Sequence, residues 1–87
     1  MKTFELTPVN SRKSFYGKCI VIENINSLMQ VKSDLISYNT NVASYNHDTK
    51  KMIVKGYYSP TTASHINSFL NYYGFKTCSK KELENYN

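Results

Sequence analysis

Short runs of alternating apolar and polar residues fill the first two-thirds of the chain, and one capped amphipathic stretch follows them. Together they predict an α+β domain. The sheet is expected to hold three or four antiparallel strands, because the connections between the extended runs are too short for parallel crossovers. A helix over about residues 60–73 should lie across one face, with a short C-terminal helix beside it. At 87 residues the chain reads as a single domain, 1–87, with one modest core.

The opening run KTFEL puts Phe4 and Leu6 on one side and Thr3 and Glu5 on the other, the pattern of a short edge strand. Pro8, Asn10 and Ser11 then mark a loop. In SFYGKCIVIE, Phe15, Cys19 and Val21 share one face while Tyr16, Lys18, Ile20 and Ile22 share the other, which predicts a strand. NINS reads as a turn, and Val31 to Asn46 form a second extended segment. There Leu35, Ser37, Asn39, Asn41, Ala43 and Tyr45 alternate with Ile36, Tyr38, Thr40, Val42 and Ser44, and neither face is cleanly apolar. Asparagine is depleted in strands, so Asn39 to Asn41 predicts a bulge or tight bend inside one long strand, with a true hairpin turn as the alternative. Met52 to Tyr58 form a third extended segment, reached through the polar turn NHDTK.

The helix is the best-bracketed element. Ser59 is placed as N-cap, Pro60 suits the first helical position and Gly74 suits the left-handed stop. Ala63, Ile66, Phe69, Leu70 and Tyr73 fall on one stripe, and Ser64, Asn67, Ser68 and Asn71 fall on the opposite one. Ser79 to Glu82, SKKE, has the form of a capping box and predicts a short helix ending near Tyr86.

Composition narrows the function classes. Hydrophobic residues make up 40% of the chain and aromatics 14%, which fits a folded domain rather than a disordered tail. Eleven basic residues against six acidic ones give a net charge of +5, favouring acidic partners such as nucleic acid or an acidic protein face. Arg12 is the only arginine, so bidentate reading of base edges is poorly supported. No apolar run approaches the ~20 residues that span a bilayer, and MKTFELTPVN lacks the apolar centre of a signal peptide. A cytoplasmic protein with no membrane partner is expected, with Cys19 and Cys78 as reduced thiols.

Chemistry-bearing patterns are weak. Cys19, Cys78, His47 and His65 lack the close ligand pairs of a zinc site, and no motif activates a cysteine or histidine nucleophile. Glu5, Glu23, Asp34, Asp48, Glu82 and Glu84 are scattered, and Gly17, Gly56 and Gly74 form no phosphate-cradling loop. Neither an enzyme nor a cofactor or metal is expected. His65 reads as a boundary residue bonded to the sheet or to solvent, or as a surface contact shared with Tyr72. The remaining signal is lysine beside tyrosine. Tyr16, Lys18, Tyr38, Tyr45, Lys55, Tyr57 and Tyr58 are the candidate contact residues, since lysines and tyrosines on one sheet face suit phosphate contact and base stacking. The alternative is that the lysines are solvated and the tyrosines fill the core or its edges.

SFYGKCIVIE, LISYNTNVASY and GYYSPTTASHINSFLNYYGF together resemble small phage and prophage proteins of low-GC Gram-positive bacteria that share a domain of unknown function. Cys19 stands where that family usually has a small alanine, which counts against a catalytic cysteine. The resemblance implies a phage-encoded accessory protein, acting in the host cytoplasm, that binds and sterically inhibits a host protein or nucleoprotein complex. An anti-defence, anti-CRISPR-like factor is one such role. Direct binding of single-stranded nucleic acid is the rival expectation, and an exposed edge strand leaves a homodimer open.

Overall fold

Inward-facing residues at every second position, Cys19 and Val21 and then Ser33, Leu35 and Ser37, make the central strands. The computed structural model describes residues 2–6, 17–55 and 59–86. Within them β1 (Lys2–Glu5), β2 (Cys19–Ile25), β3 (Val31–Ser37), β4 (Thr40–Asn46) and β5 (Lys51–Val54) form one sheet in sequential order, each strand antiparallel to the next. The sheet therefore has five strands rather than the three or four expected. The extra strand arises because the segment from Val31 to Asn46 is not continuous.

The chain reverses at Tyr38 and Asn39, whose φ values are 59° and 115°, and Ser37 pairs with Thr40 across the turn. The hairpin alternative is therefore the correct one. A bulge is also present, displaced from the expected position. Leu35 pairs with Ala43 but Ile36 pairs with Asn41, so Val42 is the unpaired extra residue. That insertion turns two successive residues, Val42 and Ala43, towards the core, where they are 1% and 0% exposed. It explains why simple alternation found no apolar face in this stretch.

Helix α1 (Pro60–Tyr72) covers one face of the sheet. The Ser59 hydroxyl accepts from the Thr62 amide at 3.2 Å, and Pro60 occupies the first turn, where its missing N–H costs nothing. At the other end Gly74 takes φ 81°, and the Phe75 amide donates to the Leu70 carbonyl at 2.8 Å, closing the helix. Ile66, Phe69 and Leu70 are fully buried, with Ala63 and Tyr73 packed beside them, as the stripe predicted. The polar side departs from the expectation. Ser68 is buried, and Asn67 is half-buried because its amide clamps the returning tail. Its Oδ1 accepts from the Cys78 amide at 2.7 Å while its Nδ2 donates to the Cys78 carbonyl at 3.0 Å.

That clamp sets the start of α2 (Lys80–Glu84), where Ser79 and Glu82 form the predicted capping box and Leu83 is buried. The core runs from Cys19, Val21 and Leu35 through Val42, Ala43, Tyr45, Met52 and Val54 to the helix residues and Leu83. Full burial of a side chain such as Phe69 or Leu35 contributes about 1.5–3 kcal/mol each. No helix among the described residues is long and apolar enough to cross a membrane.

Candidate functional site

Nucleophiles and bases are present, but their surroundings withhold them. Cys19 is fully buried in β2, and burial, aided by the Glu5 carboxylate, pushes its thiol up to about 12. The reactive thiolate is therefore scarce. Cys78 is a free thiol also raised by burial. His65 lies 1% exposed under β3, where its Nδ1 is 2.8 Å from the Ser37 hydroxyl, itself 3.1 Å from the Thr62 hydroxyl. Burial lowers its pKa and favours the neutral ring. So His65 is an interior residue bonded to the sheet, and Tyr72 instead packs on Phe4 at 5.3 Å.

Ser33, His47 and Glu23 look at first like a hydrolytic set. His47 Nε2 is 2.6 Å from the Ser33 hydroxyl and 4.0 Å from a Glu23 oxygen. A working triad needs the carboxylate on the other ring nitrogen, so that one nitrogen takes the proton while its partner is held. Here both contacts converge on the same nitrogen, and Ser33 is fully buried and accepts a 2.8 Å bond from the Tyr73 hydroxyl. The set is a structural network beneath an aromatic cluster. No group of three or more His, Cys, Asp or Glu side chains among the described residues could hold a metal ion.

The surfaces are more informative, and they lie at the two ends of the sheet. At one end β2 begins and β3 turns into β4, which brings Lys18 and Tyr38 together, whereas β5 stops opposite Ala43 and leaves Lys55 beside Val42, short of that end. The Tyr38 amide donates to the Lys18 carbonyl at 3.0 Å, and both side chains line a depression of about 240 Å³ with Gly17, Ile20, Ile36 and Asn39. Tyr38 is 48% exposed, and its ring lies 5.5 Å from the His65 ring at 31°. On the same face of the sheet, across from Ile36, Asn41 Oδ1 is buried with no partner among the described residues. Tyr45 does not join this surface. It is 8% exposed in the core, stacked on Tyr73 at 4.7 Å and edge-on to Phe75, so its place as a contact residue is withdrawn. Its register opposite Ser33 and Met52 points it to the helix side. Tyr16, Tyr57 and Tyr58 lie outside the described residues.

The other end carries a feature that the sequence reading passed over. In the β2–β3 connection Ile25, Leu28 and Met29 are 60%, 74% and 79% exposed. The turn beneath them is held by Asn26, whose Oδ1 accepts from the amides of Leu28 and Gln30, both at 2.9 Å. Its carbonyl accepts from Met29 and its own amide donates to Gln30. The Gln30 side chain in turn takes bonds from Asn26 and Asn46, and the Val31 amide donates to Asp48 at 2.6 Å, tying the tip to the β4–β5 turn. The only sequence signal was the pair of bulky apolar residues in NSLMQ directly after turn formers, which fits neither strand nor helix periodicity.

A family model matches residues 4–85, described as a family of unknown function, DUF8033. The chain belongs to the DUF8033 family. The match runs from β1 through α2, so both sheet ends and the helix are parts of the DUF8033 domain rather than additions to it. No curated protein and no solved structure matches the chain.

Proposed function

We propose that the protein is a non-enzymatic binding module that docks on another macromolecule and acts by occupying its surface. The observation that carries this reading is the apolar tip Ile25, Leu28 and Met29, raised on a turn that Asn26 holds in place. Isolated exposed apolar residues are ordinary, but a contiguous group fixed in one shape is a contact surface whose ordering is complete before binding. Methionine adds a side chain that adapts to an irregular cleft. The partner fits the setting implied by the sequence resemblance: a host protein or nucleoprotein complex met by a phage-encoded accessory protein, with steric inhibition of a defence complex as the outcome.

A tagged protein incubated in a lysate of a low-GC Gram-positive host, with nuclease added, tests the reading. The wild type should retain a partner that Leu28→Asp/Met29→Asp loses while keeping its circular dichroism spectrum. Equal retention by the folded double variant would remove the tip from the interface.

A further inference from the structure

The two outer strands of the sheet differ in how they meet another strand. The order runs from β1 to β5, so each of these two has an outer side. On β1 the Leu6 amide donates to the Cys19 carbonyl at 3.0 Å, in the register that also pairs Phe4 with Val21 and Lys2 with Glu23. The amides and carbonyls of Lys2, Phe4 and Leu6 therefore face β2. Hydrogen bonding alternates along an antiparallel pair, which turns those of Thr3 and Glu5 outwards, and no strand lies beyond them among the described residues. Both residues are exposed, and β1 has neither the proline nor the bulge that guards an edge.

The helix side of the same strand is left half covered. Phe4 is half-buried beside Tyr72, with ring centroids 5.3 Å apart, and Tyr72 remains 56% exposed at the sheet margin. The helix α1 itself is seated over β3, two strands inward, so its bulk does not overhang β1.

We infer that two copies of the chain join β1 to β1, antiparallel about a twofold axis at Phe4, so that the two five-stranded sheets become one. In that register Thr3 of each copy stands opposite Glu5 of the other. The outward backbone groups meet, and each pair exchanges both of its bonds. The Thr3 hydroxyl faces the Glu5 carboxylate, Phe4 faces Phe4 at the close position between bonded pairs, and Lys2 lays its stem along Leu6. No like charges oppose one another. Centring the pair on Glu5 would set two carboxylates face to face, and centring it on Thr3 would shorten the pairing to the stretch from Lys2 to Phe4. The β5 edge resists the same association, because two copies centred on Ile53 set Lys51 against Lys55. In the β1 dimer both helices lie on one face, about 24 Å apart by strand spacing, and the two Phe4–Tyr72 pairs close into one aromatic cluster between them. The seam is short, below the size of a permanent interface, so the dimer forms reversibly with concentration. The two apolar tips stand at opposite ends of the joined sheet and take no part in the seam.

Sedimentation velocity over protein concentrations from about 10 μM to about 1 mM reads the association, and amide hydrogen exchange at both extremes reads its place. The wild type should pass from monomer to dimer across that range, with the Thr3 and Glu5 amides slowing at the higher concentration. Thr3→Pro removes an outward N–H and none that β2 uses, so it should stay folded by circular dichroism and monomeric throughout. Thr3→Lys sets a lysine opposite Glu5 and should tighten the dimer by between about twofold and thirtyfold, since symmetry repeats the favourable cross-strand pair; Thr3→Glu should weaken it by a similar factor. General charge repulsion predicts the reverse order, because the chain already carries +5. The inference is overturned if the wild type is monomeric at the highest concentration, if folded Thr3→Pro still dimerises, or if Thr3→Lys and Thr3→Glu change the affinity equally or in the reverse order. Should Thr3→Pro fail to fold, the lysine and glutamate variants decide alone. Leu28→Asp/Met29→Asp should dimerise as the wild type does, which separates failure here from failure of the tip; a monomeric double variant would move the contact to the tip and overturn the seam.

Discussion

Replacing Met29 with glycine should leave the domain as stable as before or slightly more so, while stripping one apolar contact from the tip. Met29 has φ 62°, a conformation that costs a residue with a Cβ roughly 1–2 kcal/mol. Glycine escapes that cost but gives back about 0.5–1 kcal/mol through the greater freedom of the unfolded chain. At 79% exposure the methionine side chain forfeits almost no buried area when removed. The net change is a gain of between about 0 and 1.5 kcal/mol. Urea unfolding reads it directly: with a slope of about 1–2 kcal/mol per molar, the midpoint should stay fixed or rise by up to about 1.5 M with the slope unchanged. A loss of more than about 1 kcal/mol would refute the reasoning, because it would mean that Met29 packs against the fold and is not presented to a partner.

Tyr45 and Tyr38 should separate by stability. Tyr45→Ala, which empties the stack on Tyr73 and Phe75, should cost about 3–5 kcal/mol, whereas Tyr38→Ala should cost under about 1 kcal/mol by the same urea assay. His65 should make stability depend on pH. Its pKa is lower in the folded protein than its ordinary 6.5, so the unfolded chain binds more protons and stability declines as the pH falls below about 6.5. His65→Gln should flatten that decline between pH 7 and 5; an identical slope in the variant would assign the effect to other groups. In the native protein at pH 8 a thiol reagent should label Cys78 slowly and leave Cys19 untouched, with both reacting in denaturant. Rapid labelling of Cys19 in the folded state would contradict its burial.

The helix and its caps were legible in the sequence because each depends on residues close together. Ser59-Pro60, the stripe from Ala63 to Tyr73, Gly74 and the Ser79–Glu82 box are local chemistry that tertiary contacts did not override. The β3–β4 hairpin was only half legible. A two-residue turn normally advertises itself with Asn-Gly, whereas here Tyr38 and Asn39 adopt positive φ without a glycine, and the Val42 bulge breaks the alternation a register argument relies on. Lys18 and Tyr38 could be chosen from composition, but their meeting beside one depression required the strand order. Tyr45 was misplaced for a different reason: alternation already set it on one face with Leu35 and Ala43, which is the helix side, and the lysine–tyrosine pattern was followed instead.

Both sheet ends rely on the same departure from economy. Met29, Tyr38 and Lys50 occupy the left-handed region at three separate turns, with φ of 62°, 59° and 58°, and none is a glycine. The strain alone decides little, since each glycine would return part of the gain through unfolded-chain entropy. Which side chains stand there is more telling. Asparagine tolerates this conformation and hydrogen-bonds its own backbone, yet the turns carry a thioether, a phenol and an ammonium group, each held out from the surface. For the fold, the three positions could be filled alike; the contact proposed for the apolar tip is what distinguishes Met29 from the other two. Retention of a partner by the Leu28–Met29 tip should survive added salt, because apolar burial is not screened as charge contacts are.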